Sequence, residues 1–404
     1  MAHVRSLFFT GAASESEAKA QAAKKAGHPS SLIWNITNRC NLKCSHCYMA
    51  ADAHILPDQL SDEETIQLVD RMHEAGCPVV FISGGEPMLR PNFWEILERV
   101  HECGIKPTIS TNCTLVTEDN AQRLKDNGVK WIATSLYGTR EYHDELTRVP
   151  GTYDKVMAAV RTLRAHDIGV VLKTAITVGN WPFIFDMIQI AKDEGVGIFY
   201  ICDLITSGRS EGEEALRITK EQWRELCDFI VDDMLDPDSH MEYDIGAIPS
   251  TIPYIAEKFI ERGVDVSKGL ERLSLFSACP VGQGHMAINS AGDIMPCQFS
   301  QEWTVGNIRD MSIEDAVKLL RALDEQPSEG QCAPEVCAYT HICRGCRVKA
   351  WMRTGAENGG NPHSEDFSCI LNKAEGERDV DLAAAGAAAG AAAGAAPCKT
   401  ICGH

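Results

Sequence analysis

The sequence has no run of the ~18 consecutive apolar residues that a membrane-spanning helix needs. Its N-terminus carries only the short cluster Leu7-Phe8-Phe9, too small for the core of a secretion signal. It is also short of positive charge. The 38 Lys and Arg against 57 Asp and Glu leave −19 at pH 7, so a nucleic-acid backbone or an anionic membrane would find little attraction here. These absences predict a cytoplasmic protein with no nucleic-acid or membrane partner. The 44% hydrophobic and 24% charged residues exclude a disordered or collagenous chain. A length of 404 residues allows two or three folded units at about 150 residues per domain.

Cysteine is abundant. Seventeen cysteines without a secretion signal argue against a disulfide framework, because reducing compartments keep thiols free, and metal or cluster ligation becomes the expected use. Cys40, Cys44 and Cys47 lie within eight residues, seven more fall between Cys279 and Cys369, and two lie in the last seven residues. Cys77, Cys103, Cys113, Cys202 and Cys227 stand alone and are read as core packing.

Between Leu32 and Asp203, β-rich runs alternate with amphipathic patterns. The runs are Leu32 to Ile36, Val79 to Ile82, Thr108 to Ser110, Trp131 to Ser135, Val170 to Ile176 and Ile198 to Cys202. Helical patterns begin at Ser61, which with Glu64 forms a capping box, and recur over Asn92 to Cys103, Ala121 to Asp126 and Tyr153 to His166. Such alternation predicts right-handed βαβ units and a parallel sheet. Six units suit a partial or complete α/β barrel with its chemistry at the carboxyl ends of the strands, and pattern alone leaves a doubly wound open sheet as the alternative. Five regions follow: an N-terminal extension (1–31), the barrel (32–210), a helical bridge (211–278), a small Cys-rich domain (279–372) and an Ala/Gly tether ending in Cys398, Cys402 and His404 (373–404).

Cys40-x3-Cys44-x2-Cys47 follows the first strand. Three thiolates on one loop can hold three irons of a [4Fe-4S] cluster and leave the fourth open to substrate. A closed structural zinc site needs four ligands, and the nearby His46 lies between two of the thiols. With Tyr48 directly after its last cysteine, the triplet resembles the signature of the radical S-adenosylmethionine (radical SAM) superfamily. Gly84-Gly85-Glu86-Pro87 after the second strand resembles that family's Gly-Gly-Glu-Pro motif. The resemblance implies that its glycines let the backbone approach the methionine ammonium of SAM, which Glu86 would face. By the same resemblance Ser110, Asn112 and Ser135 lie where the ribose and carboxylate of SAM bind, and Arg148 would contact the carboxylate. Tyr137 stands where the family often has Asp. Strand-end turn chemistry is the plain alternative for the serines, and a surface ion pair for Arg148.

Cys279, Gly292 and Cys297, then Cys332-x4-Cys337-x5-Cys343-x2-Cys346 and Cys369, resemble the SPASM extension of peptide- and cofactor-maturing radical SAM enzymes. By that resemblance Cys332, Cys337, Cys343 and Cys369 ligate an outer auxiliary cluster, and Cys279, Cys297 and Cys346 an inner one that lacks a fourth thiolate. The x4 and x2 spacings depart from the usual pattern, and Cys-x5-Cys-x2-Cys can also close a zinc site. The resemblance implies a partial (β/α)6 barrel followed by a SPASM domain. It further implies a [4Fe-4S] cluster binding SAM, one or two auxiliary [4Fe-4S] clusters, and a reductant such as flavodoxin or ferredoxin. The chemistry implied is reductive cleavage of SAM to a 5′-deoxyadenosyl radical. Peptide maturation is the first expectation and tetrapyrrole side-chain modification in heme or heme d1 synthesis the second. A non-catalytic iron-sulfur electron carrier is the alternative of another class, but it would have no use for the Gly84-Gly85-Glu86-Pro87 element.

Overall fold

The computed structural model describes residues 3–10, 15–355 and 359–371. Among these residues the ten strands are β1 (Ser31–Asn35), β2 (Val79–Ser83), β3 (Lys106–Ser110), β4 (Trp131–Ser135), β5 (Gly169–Ile176), β6 (Ile198–Asp203), β7 (Glu242–Gly246), β8 (His285–Ile288), β9 (Asp293–Met295) and β10 (Gly306–Asn307). They form one sheet in the order β10-β9-β8-β1-β2-β3-β4-β5-β6-β7. From β8 through β7 every pairing is parallel, and β9 and β10 turn back antiparallel. A doubly wound sheet reverses its strand order at a switch point. Here β1 to β7 run consecutively without reversal, which is the order of a barrel.

Among the described residues, twelve α-helices accompany the strands. The first six are α1 (Glu15–Ala26), α2 (Asp62–Glu74), α3 (Phe93–Glu102), α4 (Glu118–Asp126), α5 (Arg140–Thr147) and α6 (Thr152–Ala165). The rest are α7 (Ile184–Asp193), α8 (Lys220–Leu235), α9 (Thr251–Glu261), α10 (Ser267–Phe276), α11 (Ile313–Ala322) and α12 (Arg347–Arg353). The box expected at Ser61 caps α2, with Ser61 accepting from the Glu64 amide and Glu64 reaching back. A second box, Thr219 with Gln222, starts α8.

Strand residues alternate between two environments. Along β5, Val170, Leu172, Thr174 and Ile176 are buried, while Val171, Lys173 and Ala175 are half-buried, so the first set lies under the helices and the second lines the lumen. The six expected strands are all present, within two residues at each end. The stretch 211–278 is helical only in part, since it holds β7 beside α8, α9 and α10. The Cys-rich stretch contributes β8 to β10 to the same sheet and contains α11, a ten-residue helix. The tail with Cys398, Cys402 and His404 lies outside the described residues.

Candidate active site

Cys40, Cys44 and Cys47 sit half-buried on the loop after β1. The loop is held from several sides. The Lys43 and Ser45 amides donate to the Thr147 and Leu146 carbonyls at the end of α5, both at 3.1 Å. Arg209 was not singled out from sequence, yet it is the main clamp. Its Nε donates to the Cys44 carbonyl at 2.7 Å, its Nη1 to the Ala51 carbonyl at 2.6 Å, and its amide to the Cys47 carbonyl at 3.0 Å. Gly208 makes that approach possible, because a Cβ there would lie 2.5 Å from the Cys47 oxygen. Burial first, then the Glu86 carboxylate and Cys47, pushes the Cys40 thiol up to about 11, and burial with the other two sulfurs pushes the Cys44 thiol to about 12. A donor set that resists ionisation alone is suited to a cluster whose irons supply the opposing charge.

The Gly84-Gly85-Glu86-Pro87 element lies flush against the chain leaving β1. Gly85 and Glu86 amides donate to the Thr37 and Arg39 carbonyls, each at 2.8 Å. Gly84 has φ +144°, and a Cβ on Gly84 or Gly85 would stand 2.5 Å or 2.4 Å from those same oxygens, so both positions require glycine. Glu86 is fully buried and takes its hydrogen bonds from the chain: Thr111 Oγ1 at 2.8 Å, the Asn112 amide at 2.8 Å and the Met88 amide at 3.1 Å. Its carboxylate therefore braces the end of β3 against the turn. Pro87 opens the short helical turn that follows.

Asn112 approaches the cluster loop, its Nδ2 lying 3.8 Å from Cys40 Sγ and donating to Asn41 at 2.8 Å. Tyr137 hydrogen-bonds Ser135, and its ring packs edge-on to His46 at 4.6 Å. Arg148 ends α5 in the left-handed conformation with its side chain exposed, directly after the residues that hold the cluster loop. Tyr48 donates to Asn35 Oδ1 at 3.4 Å, while the Asn35 amide nitrogen is buried without a partner beside it. An orphaned donor at the mouth of the lumen fits a bound polar ligand such as SAM.

Lys173 is a second residue that sequence did not single out. Its Nζ donates to Ser110 Oγ at 2.5 Å, and its backbone is paired with Ser135, so it joins two of the expected SAM residues. Burial lowers its amine to about 8. Among the described residues no carboxylate pairs with it.

The second cysteine set separates into two groups. Cys332, Cys337, Cys343 and Cys369 line one small cavity together with Ser250, Thr340, Arg344, Gly345 and Leu371. Cys279 lies within electrostatic reach of both Cys297 and Cys346. The buried Arg347 lies within electrostatic reach of Cys279 from one group and of Cys332 and Cys343 from the other. Among the described residues, no three His, Cys, Asp or Glu side chains close on one point as a single metal ion requires. Sulfurs around one tetrahedral zinc stand about 3.8 Å apart, given a Zn–S bond of about 2.3 Å, whereas a cluster spreads its thiolates over several irons. The Cys-rich stretch also reaches the loop after β1, where Tyr48 packs edge-on to Phe299 at 5.0 Å, two residues beyond Cys297.

Residues 34–182 match the Radical SAM superfamily, and residues 279–347 match the SPASM iron-sulfur cluster-binding domain. The chain is a radical SAM enzyme with a SPASM domain. An AdoMet-dependent heme synthase of Oleidesulfovibrio alaskensis is 27% identical over 82% of this chain and 86% of that protein. A pre-heme d1 synthase of Dinoroseobacter shibae is 26% identical over 87% and 88%, and a mycofactocin maturase of Mycolicibacterium smegmatis 27% over 81% and 80%. Among solved structures, Streptococcus suis SuiB bound to the precursor peptide SuiA superposes with a TM-score of 0.67 at 18% identity, covering 88% of this chain and 80% of that one. That likeness confirms the fold of a radical SAM barrel joined to a SPASM domain. The radical SAM/SPASM enzyme carries a [4Fe-4S] cluster with SAM and one or two auxiliary [4Fe-4S] clusters.

Proposed function

We propose that this enzyme modifies a side chain of a tetrapyrrole on a heme-type pathway. The observation that carries this reading is the alignment of both its domains with enzymes named for heme and heme d1 synthesis, each over more than four-fifths of both chains. The lumen supports it: the unpaired cation Lys173 beside Ser110 is suited to a carboxylate, which both SAM and carboxylated tetrapyrroles present.

A cluster held by Cys40, Cys44 and Cys47 together with SAM would supply one-electron radical chemistry for hydrogen abstraction. The chain's own residues do the rest. Cys40, Cys44 and Cys47 hold the cluster, and Arg209 and Gly208 fix their loop. Gly84 and Gly85 bring backbone to the SAM ammonium, Glu86 and Thr111 hold the β3 end in place, and Ser110, Asn112, Ser135 and Arg148 complete the nucleotide's surroundings. Tyr48 and the barrel wall keep solvent from the radical. A flavodoxin- or ferredoxin-type carrier would deliver the electron.

The mycofactocin maturase relative, at equal identity, supports peptide maturation as the second reading. Anaerobic turnover with SAM and dithionite separates the two. Iron porphyrins bearing propionate side chains are expected to stimulate 5′-deoxyadenosine formation and to lose mass. Stimulation by precursor peptides alone would overturn the tetrapyrrole reading.

A further inference from the structure

The inner group offers three thiolates, Cys279, Cys297 and Cys346, where a closed cubane takes four. Taking these three as a cluster site, we infer that Cys202, at the carboxyl end of β6, is the fourth thiolate of the inner auxiliary cluster.

The register places it. Cys202 is paired with Ala175 of β5 and Gly246 of β7 and lies on the lumen face with Tyr200. Its lateral neighbours are small, and the Tyr200 side chain leans over Gly246, where a Cβ would meet its hydroxyl. The next residue, Asp203, forms a buried ion pair with Lys349, one helical turn beyond Cys346 on α12. This contact draws the start of α12 to the end of β6. From the other side Cys297 lies within electrostatic reach of both Cys279 and Cys202. Cys297 and the first turn of α12, which follows Cys346, thus both approach the strand end that carries Cys202.

Core packing does not account for this residue. Cys77, Cys113 and Cys227 belong to the contiguous apolar core, and Cys202, although buried, does not. Burial and the adjacent Asp203 carboxylate oppose its ionisation, while two cations and a phenol favour it. Lys173 and Lys349 both face it, and Tyr200 hydrogen-bonds its sulfur. Ligation replaces the thiol proton by iron, releasing that proton to solvent, and the two cations and the phenol stabilise the sulfur's negative charge afterwards.

The test uses the full-length chain with Cys40, Cys44 and Cys47 replaced by Ala, so that no open iron of the first cluster contributes, reconstituted anaerobically with iron and sulfide. In this background cyanide should leave the electron paramagnetic resonance of the reduced auxiliary clusters unchanged. Adding Cys202→Ala should make one cluster cyanide-sensitive, or cost about one iron per chain on mild oxidation. Cys202→Ser should keep the iron with a shifted spectrum. Truncation after Leu382 should keep cyanide resistance. A Cys202→Ala protein with unchanged iron, spectrum and cyanide resistance overturns the inference, as does a cluster already cyanide-sensitive with Cys202 present. Cyanide sensitivity caused by the truncation also overturns it, because the tail would then supply the ligand. The control is Cys346→Ala, which must lose the inner cluster. If it does not, the inner site itself fails, separately from Cys202.

Discussion

Lys349, on the first helix after the inner cysteines, is paired with Asp203 at the end of β6, with both side chains at most 3% exposed. Asp203 also accepts from Arg217 Nη2 at 2.5 Å and Trp223 Nε1 at 3.3 Å, and Lys349 donates to Ser368 at 3.1 Å, next to Cys369. One buried carboxylate thus ties β6 to residues close to Cys346 and Cys369. Breaking such a pair strands a charge. Asp203→Asn, which leaves Lys349 and Arg217 unanswered, should destabilise the protein by about 3–5 kcal/mol, measured by denaturant unfolding.

Replacing Cys40, Cys44 and Cys47 together with Ala should abolish 5′-deoxyadenosine formation while the auxiliary iron stays. Cleavage of SAM by the triple variant would show that another cluster does the chemistry.

Gly208→Ala should loosen the first cluster loop, because the added methyl meets the Cys47 and Tyr48 carbonyls at 2.5 Å and 2.4 Å. The expected result is loss of roughly four irons per chain with the circular dichroism spectrum intact. An unaltered iron content would show that the loop tolerates displacement.

Elemental analysis of anaerobically purified protein should find iron and sulfide in the 279–369 region. A total of about four irons with stoichiometric zinc would reject two auxiliary clusters, each expected to add up to four irons.

Lys173 supplies a pH signature. Its folded-state value of about 8 lies below the ordinary 10.5, so between these values the unfolded chain binds more protons and stability rises with pH. The penalty is fully present below about 8 and gone above the ordinary value. Lys173→Met removes it, so the variant's stability advantage should shrink as pH climbs through this window. A pH-independent difference in unfolding free energy would contradict the assignment.

Much of this was legible in the sequence because the signals were local. Trp131 to Ser135 is a strand at the expected bounds, and the Ser61 and Glu64 box caps the expected helix. The strand β7 escaped because Glu-Tyr-Asp-Ile-Gly has no clean alternation, and Glu242 is spent on the N-terminal segment, accepting from the Arg5 and Ser6 amides at 2.6 Å and 2.9 Å. In α9, Pro253 is tolerated because it lies in the first turn, where no amide is needed. Arg209, Lys173 and Lys349 were illegible for another reason. Each is an ordinary basic residue until folding brings it to a partner 165, 63 or 146 positions away.

The parallel pairing of β8 with β1 has a consequence for biogenesis. The strand that leads into the first cluster loop keeps a bare hydrogen-bonding edge until residues 285–288 have left the ribosome. Up to that point most of the barrel exists with an exposed seam, the kind of edge that recruits other chains. Iron loading of the first loop before release would take place on a half-zipped barrel. The cell's interval of greatest aggregation hazard for this protein therefore falls between synthesis of β2 and β8, and chaperone or cluster-donor engagement during that interval would raise the yield of active enzyme.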